Sequence, residues 1–211
     1  MKQQEKGKRS IALPVTLILL VMSLMGNVLL LTKNININQT NAVEEGGVIL
    51  DRAKRSLELA QYMEGQMMEV RELSTSDGTA ERLAARYAAS SLQRGGSSLK
   101  ELMATAELQA AGALEGAGAA AEAYVDSFAY ERLTGIGNGA GALDDSERKT
   151  IEQLQQSFSE LAGALSAFSF AGEGNKSFMI RLSAGHGWHE VAGSVQAVMR
   201  QYASNDHGLI A

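Results

Sequence analysis

The hydrophobic pattern begins with one uninterrupted apolar stretch near the N-terminus. It starts at Ile11, ends at Thr32 and contains no charged side chain over 22 residues. At about 1.5 Å per residue in a helix, that length crosses a hydrocarbon core of about 30 Å. A cleaved signal peptide is the alternative, but its apolar region is shorter and a small-x-small cleavage pattern follows it. The stretch therefore predicts an uncleaved transmembrane anchor at residues 11–32.

The residues on either side of the apolar stretch predict how it is oriented. Residues 1–10 form a basic tail with four cationic side chains and one acidic side chain. The positive-inside rule then places the N-terminus in the cytoplasm and the C-terminal domain outside a single-pass cell membrane protein. Residues 33–43 alternate Asn with Ile and predict a short extended or disordered linker. Gly26 and Asn27 either form a face that pairs with another helix or are small and polar residues that a single span tolerates.

Beyond the linker, apolar residues recur at steps of three or four, which is the period of an amphipathic helix. The predicted helices cover residues 44–73, 79–94, 98–133, 144–172 and 188–202, with a tail at 203–211. In the second helix, Leu83, Tyr87 and Leu92 are expected to face inward. Residues 177–182 are compatible with a short strand or a helical turn. The predicted fold is all-α: a single N-terminal transmembrane helix followed by an extracytoplasmic helical bundle of four to five helices at residues 44–202.

Glycines and short polar clusters separate the predicted helices, because the only proline is Pro14. Gly95 and Gly96 predict a helix C-terminus. Gly112 and Gly116 are one turn apart and predict a helix face that a neighbour approaches closely, with a kink or break near residues 116–118. The glycine-rich run at 135–141 follows a helix, and no lysine comes after it before Lys149, so it indicates an interhelical loop rather than a phosphate loop. Asp144 begins the next helix as its cap.

Composition narrows the classes of function. The whole chain has a net charge of −5, and residues 33–211 alone carry −8. An acidic domain argues against nucleic acid as a partner. The absence of cysteine removes disulfides, thiolate nucleophiles and thiolate metal ligands. Few aromatic residues and abundant alanine favour helices over a strand-rich sandwich.

Candidate chemistry is confined to His186, His189 and Glu190, the one cluster of metal-ligating residue types. Their order matches neither zinc-protease helix pattern, since those patterns place two histidines at fixed positions around a glutamate. Packing around Trp188 is the alternative role. No sequence pattern of a serine nucleophile is present either. The sequence therefore predicts no enzyme, no cofactor and no metal, with these three residues as weak metal candidates.

Two surfaces are candidates for interaction with a protein partner. The first is the methionine-rich face of the first helix, represented by Met63 and Met67, and the second is the alanine- and glycine-rich face around Gly112 and Gly116. Core packing is the alternative role for each of them.

One region of the chain resembles a known family. The stretch YVDSFAY at residues 124–130, followed by LDDSERKTIEQL at residues 143–154, is similar to the membrane-proximal helical region of the YpeB-type spore-germination proteins. The resemblance extends from the anchor to about Ala171. It implies an N-terminal anchor followed by helices, and an accessory role as the partner and stabiliser of a cortex-lytic enzyme. The family's repeated α/β domains have no counterpart in these residues.

The expected function is therefore that of a membrane-anchored, non-catalytic accessory or interaction protein of the bacterial envelope, in spore formation or germination. Its expected partners are the membrane and an envelope protein, and a homo-oligomer is also compatible with the pattern. The alternative is a sensory or ligand-binding helical bundle that works with a separate signalling partner. A third reading, an envelope hydrolase, lacks a catalytic constellation.

Overall fold

The computed structural model describes residues 12–73, 78–110 and 112–204. All regular secondary structure in these ranges is helical, which confirms the all-α prediction. The tail at 1–10, Ile11, residues 74–77 between the first two predicted helices, Ala111 and residues 205–211 lie outside the described residues. The helices are α1 (Ala12–Leu73), α2 (Gly78–Gln109), α3 (Ala117–Glu122), a π-helical segment (Ala123–Glu131), α4 (Arg132–Asn138), α5 (Asp145–Ser166), α6 (Lys176–Ser183) and α7 (His189–Ser204).

The chain divides into two compact units, Met1–Asn41 and Ala42–Ala211. The first unit contains the apolar N-terminal part of α1. From residue 14 to residue 41, every residue is exposed except Gly26, which is half-buried. It is the one helix among the described residues that is long and apolar enough to cross a membrane, by length and composition. The prediction of an apolar N-terminal helix is confirmed to that extent.

The expectation of an extended or disordered linker at residues 33–43 is wrong, because α1 continues through it. The linker contains no glycine or proline, and extending an existing helix by a turn costs far less than nucleating a new one. Thr32 and Thr40 each donate a hydroxyl hydrogen bond of 2.9 Å to the carbonyl oxygen four residues earlier. The helical period therefore runs without interruption from the apolar segment to Leu73.

The second unit is built around a continuous hydrophobic core. The predicted stripe of the first helix lies in this core, where Met63, Met67 and Val70 are fully buried. The largest buried side chains elsewhere include Tyr124 in the π-helical segment, Phe158 in α5 and Trp188 in the turn before α7. The core therefore joins α1, α2, the π-helical segment, α5 and α7.

The prediction that Gly95 and Gly96 end a helix is wrong, because α2 passes through both. A Cβ atom added at Gly95 would lie 2.8 Å from Leu59 Cδ1, and one at Gly96 would lie 2.7 Å from Val125 Cγ1. These glycines therefore allow neighbouring helices to pack closely. Leu83 and Tyr87 were expected to face inward, but they are 51% and 61% exposed.

The predicted helix at 98–133 is interrupted between Gln109 and Ala117, as the run of alanine and glycine suggested. Gly112 and Gly116 lie in this turn with φ angles of +92° and +70°. Both angles are in the left-handed region that glycine adopts without steric cost. The two glycines therefore lie in the turn between α2 and α3, with Gly116 directly before α3, and the expectation that they share one helix face is wrong.

The C-terminal half follows the predicted order of elements with shifted bounds. α4 extends to Asn138, into the glycine-rich run. Asp144 caps α5 as predicted: its carboxylate accepts a hydrogen bond from the Glu147 amide, and the Glu147 carboxylate accepts one from the Asp144 amide. α5 ends at Ser166, six residues before the predicted position. Residues 177–182 are helical, within α6.

Candidate functional site

Arg82 forms a buried polar centre near the N-terminal end of α2. The residue is 7% exposed and pairs through its two terminal nitrogens, Nη1 and Nη2, with the two carboxylate oxygens of Glu147, the second at 2.9 Å. The neighbouring Glu81 is 1% exposed and accepts a hydrogen bond from the Leu143 amide. The hydrogen bond to Arg82 lowers the pKa of Glu147, and the same bond raises the pKa of Arg82. The centre is therefore charged on both sides at neutral pH.

Arg82 also organises the glycine-rich loop between α4 and α5. Its guanidinium donates hydrogen bonds to the carbonyl oxygens of four residues, which are Ile136, Ala140, Gly141 and Ala142. A phosphate-binding loop presents backbone amides to its ligand. This loop instead turns carbonyl oxygens toward a cation of its own protein, so its role is structural.

Glu107 serves as the cap of the turn that precedes α3. Its two carboxylate oxygens accept hydrogen bonds from the amides of Gly116 at 3.0 Å and Gly118 at 2.9 Å. These amides lie at the start of a helix and have no carbonyl partner within it. The hydrogen bonds, first that from Gly118, lower the pKa of Glu107.

Two tyrosine hydroxyls form hydrogen bonds within the bundle. The Tyr124 hydroxyl lies 2.9 Å from Ser157 Oγ, and both residues are fully buried. Burial raises the pKa of Tyr124. Tyr202 donates a hydrogen bond to Glu160 at 2.9 Å, and burial raises its pKa to about 12. Both phenols stay neutral at physiological pH, so these groups join helices and supply no nucleophile.

The metal candidates lie at the loop between α6 and α7. His186 is exposed, His189 is half-buried, and the ring of His189 packs 5.0 Å from that of Trp188. Burial, followed by the charge of His186, lowers the pKa of His189. Within the described residues, no three His, Asp or Glu side chains are grouped so that they could hold a metal ion. The structure thus brings no further ligand to His186, His189 and Glu190.

A shallow pocket of about 180 Å³ opens beside His186. Arg181 and His186 lie on its wall together with the aromatic ring of Phe178. Arg181 makes no ion pair within the described ranges. A guanidinium beside an imidazole can pair with a small carboxylate or phosphate.

The candidate interaction residues do not form the surfaces that the sequence suggested. Met63 and Met67 are both 0% exposed, so the core alternative describes them. Gly112 and Gly116 lie in the turn before α3, where Glu107 binds the Gly116 amide. None of the four offers an exposed helix face to a partner.

Sequence reasoning missed the buried Arg82 and the exposed pair of α2. Arg82 precedes the buried Ala85, Ala89 and Leu92 at steps of three and four, a period that places it on the inward face. Leu83 and Tyr87 are one turn apart on the outward face and project into solvent. They are large exposed apolar side chains in the second unit.

No protein-family model, curated protein or solved structure matches this chain.

Proposed function

We propose that this protein is a membrane-anchored, non-catalytic accessory protein of the bacterial envelope, which holds a protein partner at the outer face of the membrane. The observation that carries the proposal is the apolar start of α1, whose most apolar 18-residue window has a mean hydropathy of 2.3 and is 0% buried. An apolar helix of this length, with no protein packed against it, is stable in a bilayer, whereas exposing its apolar surface to water is unfavourable. The basic residues 1–10 supply the cytoplasmic orientation of the N-terminus.

The second unit supplies a folded structure and the exposed side chains that would contact a partner. The ionisable side chains of Arg82, Glu147 and Glu107 are engaged in holding loops and helix ends. Of the exposed apolar pair of α2, Tyr87 is a type of side chain enriched in protein interfaces, and Leu83 adds exposed apolar surface beside it. We therefore take this pair, rather than Met63 and Met67, as the contact surface for a partner.

The experiment is site-specific photo-crosslinking of the full-length protein in cells. A photoreactive residue at position 87 tests the exposed pair, one at Tyr62 tests a second exposed site on α1, and one at Met67 is the buried control. The proposal expects the same envelope protein to be captured from position 87 and not from position 67. Capture of only unrelated abundant proteins, with no difference between positions, would contradict it.

Spore germination is the biological setting that we propose for this accessory role. The support is the resemblance to YpeB-type proteins, which rests on residues 124–130 and 143–154. Residues 124–130 lie in the π-helical segment, and residues 145–154 lie in α5, which agrees with a helical membrane-proximal region. Capture of a cortex-lytic enzyme from position 87 would support this setting.

Ligand sensing is the second candidate function, and the pocket beside Arg181 and His186 favours it. An anion bound there stabilises the folded state by RT ln(1 + c/Kd), where c is its free concentration. Inorganic phosphate and acetate are the probes. The expected result is a rise in Tm of the full-length protein that Arg181→Ala abolishes and Arg55→Ala retains. An unchanged Tm for every probe would remove this candidate.

A further inference from the structure

The polar side chains of the apolar part of α1 lie on one face. Between Ala12 and Leu31 they are those of Thr16, Ser23 and Asn27. At 3.6 residues per turn, these three fall within an arc of about 40° around the helix. Asn34 and Asn41, in the turns that follow, fall within the same arc. Most of the other polar residues from 32 to 40 lie elsewhere around the helix, so the one-sided arrangement of polar side chains holds between Ala12 and Leu31.

The three asparagines of this face recur at every seventh residue. Leu30 and Ile37 occupy the positions three residues after Asn27 and Asn34. The steps therefore alternate between three and four, which is the heptad pattern of helices that pair along a shared face. Successive asparagines are spaced by about 10.5 Å along the axis. We call Asn27, Asn34 and Asn41 the asparagine ladder.

Among the residues that the structure describes, Asn27 has no hydrogen-bond partner for its side chain. Its side chain is exposed and, within the described residues, makes no hydrogen bond, whereas the nearby Thr32 hydroxyl bonds to the carbonyl of Val28. Asn27 lies four residues inside the apolar segment, where an unpaired amide is costly. An amide side chain is both a donor and an acceptor, so a second identical amide satisfies it.

We propose that a second copy of this chain packs in parallel against this face and pairs the asparagine ladder with itself. Asparagine at the first position of a heptad is known to fix register and oligomeric state in parallel coiled coils. Polar side chains likewise hydrogen-bond across helices in membranes. An antiparallel pair would place the two basic N-terminal tails on opposite sides of the membrane, against the positive-inside rule. The proposal rests on the membrane anchoring given under Proposed function.

The absence of cysteine from the chain allows a direct test by single-cysteine disulfide crosslinking in native membranes. Ile37→Cys lies on the proposed face, and Ile35→Cys is its matched control, about 160° away around the helix. The two isoleucines are 48% and 47% exposed, so they differ in direction and not in accessibility. After oxidation of the full-length protein, a disulfide-linked homodimer is expected from Ile37→Cys and far less from Ile35→Cys.

The role of the amide is tested in the Ile37→Cys background. Asn27→Leu is expected to lower the dimer yield at limiting protein density by roughly three- to fifteen-fold, the effect of one interhelical hydrogen bond in a membrane. Asn27→Gln keeps an amide and is expected to retain most of the dimer. Asn36→Leu, on the opposite side of the helix, is the control and is expected to change nothing.

Three results would overturn the proposal. Equal crosslinking of Ile35→Cys and Ile37→Cys would show that no specific face pairs. An adduct of Ile37→Cys with a different protein would show that the occupant is not a second copy. Loss of the protein from carbonate-washed membranes would contradict both the membrane anchor and the dimer. Retention in those membranes without face-specific crosslinking would contradict the dimer alone.

Discussion

Replacing Arg82 with methionine removes the hydrogen bonds that its guanidinium donates to Glu147 and to four carbonyl oxygens. Breaking a buried ion pair on one side is costly, because the remaining charge stays desolvated. We expect Arg82→Met to lower the free energy of unfolding by about 3 kcal/mol. The measurement is chemical denaturation of the full-length protein in detergent. Fluorescence of Trp188 reports it, because Trp188 is the single tryptophan and is 1% exposed.

The matched control is Arg55→Met. Arg55 pairs with Asp51 at 2.9 Å, but the two side chains are 65% and 55% exposed. Exposed ion pairs contribute little to stability, so we expect Arg55→Met to lower the free energy of unfolding by less than about 1 kcal/mol. Equal losses for the two variants would show that burial of the Arg82 pair does not determine its contribution.

Glu107 makes the stability of the folded protein depend on pH. Its pKa is lower in the folded protein than in the unfolded chain, because the Gly118 and Gly116 amides bind the carboxylate. The stability it contributes is therefore complete above the unfolded pKa of about 4.3 and is lost as pH falls through the lower folded pKa.

The prediction is that Glu107→Gln is less stable than the unmodified protein at pH 7, and that the difference shrinks as pH falls below about 4. Denaturation midpoints measured across this range supply the comparison. Glu58→Gln, at an exposed site of α1, is the control and is expected to show no such trend. A difference that stays constant with pH would contradict the cap.

At the scale of elements, two glycines are expected to respond oppositely to alanine. Gly112 has a φ angle of +92°, where alanine costs about 1–2 kcal/mol. Gly163 lies within α5 with open space around its Cβ position, and alanine there gains up to about 1 kcal/mol of helix stability. Denaturation of Gly112→Ala and Gly163→Ala should therefore shift the midpoint in opposite directions. Equal shifts would place Gly112 in a helix, as the sequence had suggested.

The helices themselves were predictable, because a stripe at steps of three and four depends only on local order. The cap at Asp144 was predictable for the same reason, since Glu147 is three residues away. Gly95 and Gly96 were misread because their role depends on Leu59 and Val125, which are distant in sequence. Local signals cannot distinguish a glycine that ends a helix from one that allows a close approach.

The candidate sites were less predictable than the helices. Met63 and Met67 satisfy the helical period of a core stripe and that of an exposed interaction face equally well, and only the packing of the other helices distinguishes the two. Arg82 was missed because a charged residue on an apolar period is normally assigned to the surface. Its burial depends on Glu147 and the loop carbonyls, which lie more than 50 residues later.

At the scale of the whole molecule, the distribution of charge predicts which parts face the cytoplasm. The four cations of residues 1–10 precede the apolar segment, whereas the residues after it are acidic. Because the chain contains no cysteine, single substitutions report topology without background labelling. In intact cells, a membrane-impermeant maleimide is expected to label Ser90→Cys, at an exposed site of α2, and to spare Ser10→Cys.

Permeabilised cells provide the control, because both variants should then react with the maleimide. Labelling of Ser10→Cys alone in intact cells would invert the topology, and the partner would then have to be a cytoplasmic protein. Labelling of neither variant before permeabilisation would place both sides of α1 inside the cell. The apolar segment would then lie along or within an intracellular structure, and the proposed role at the outer face of the membrane would be wrong.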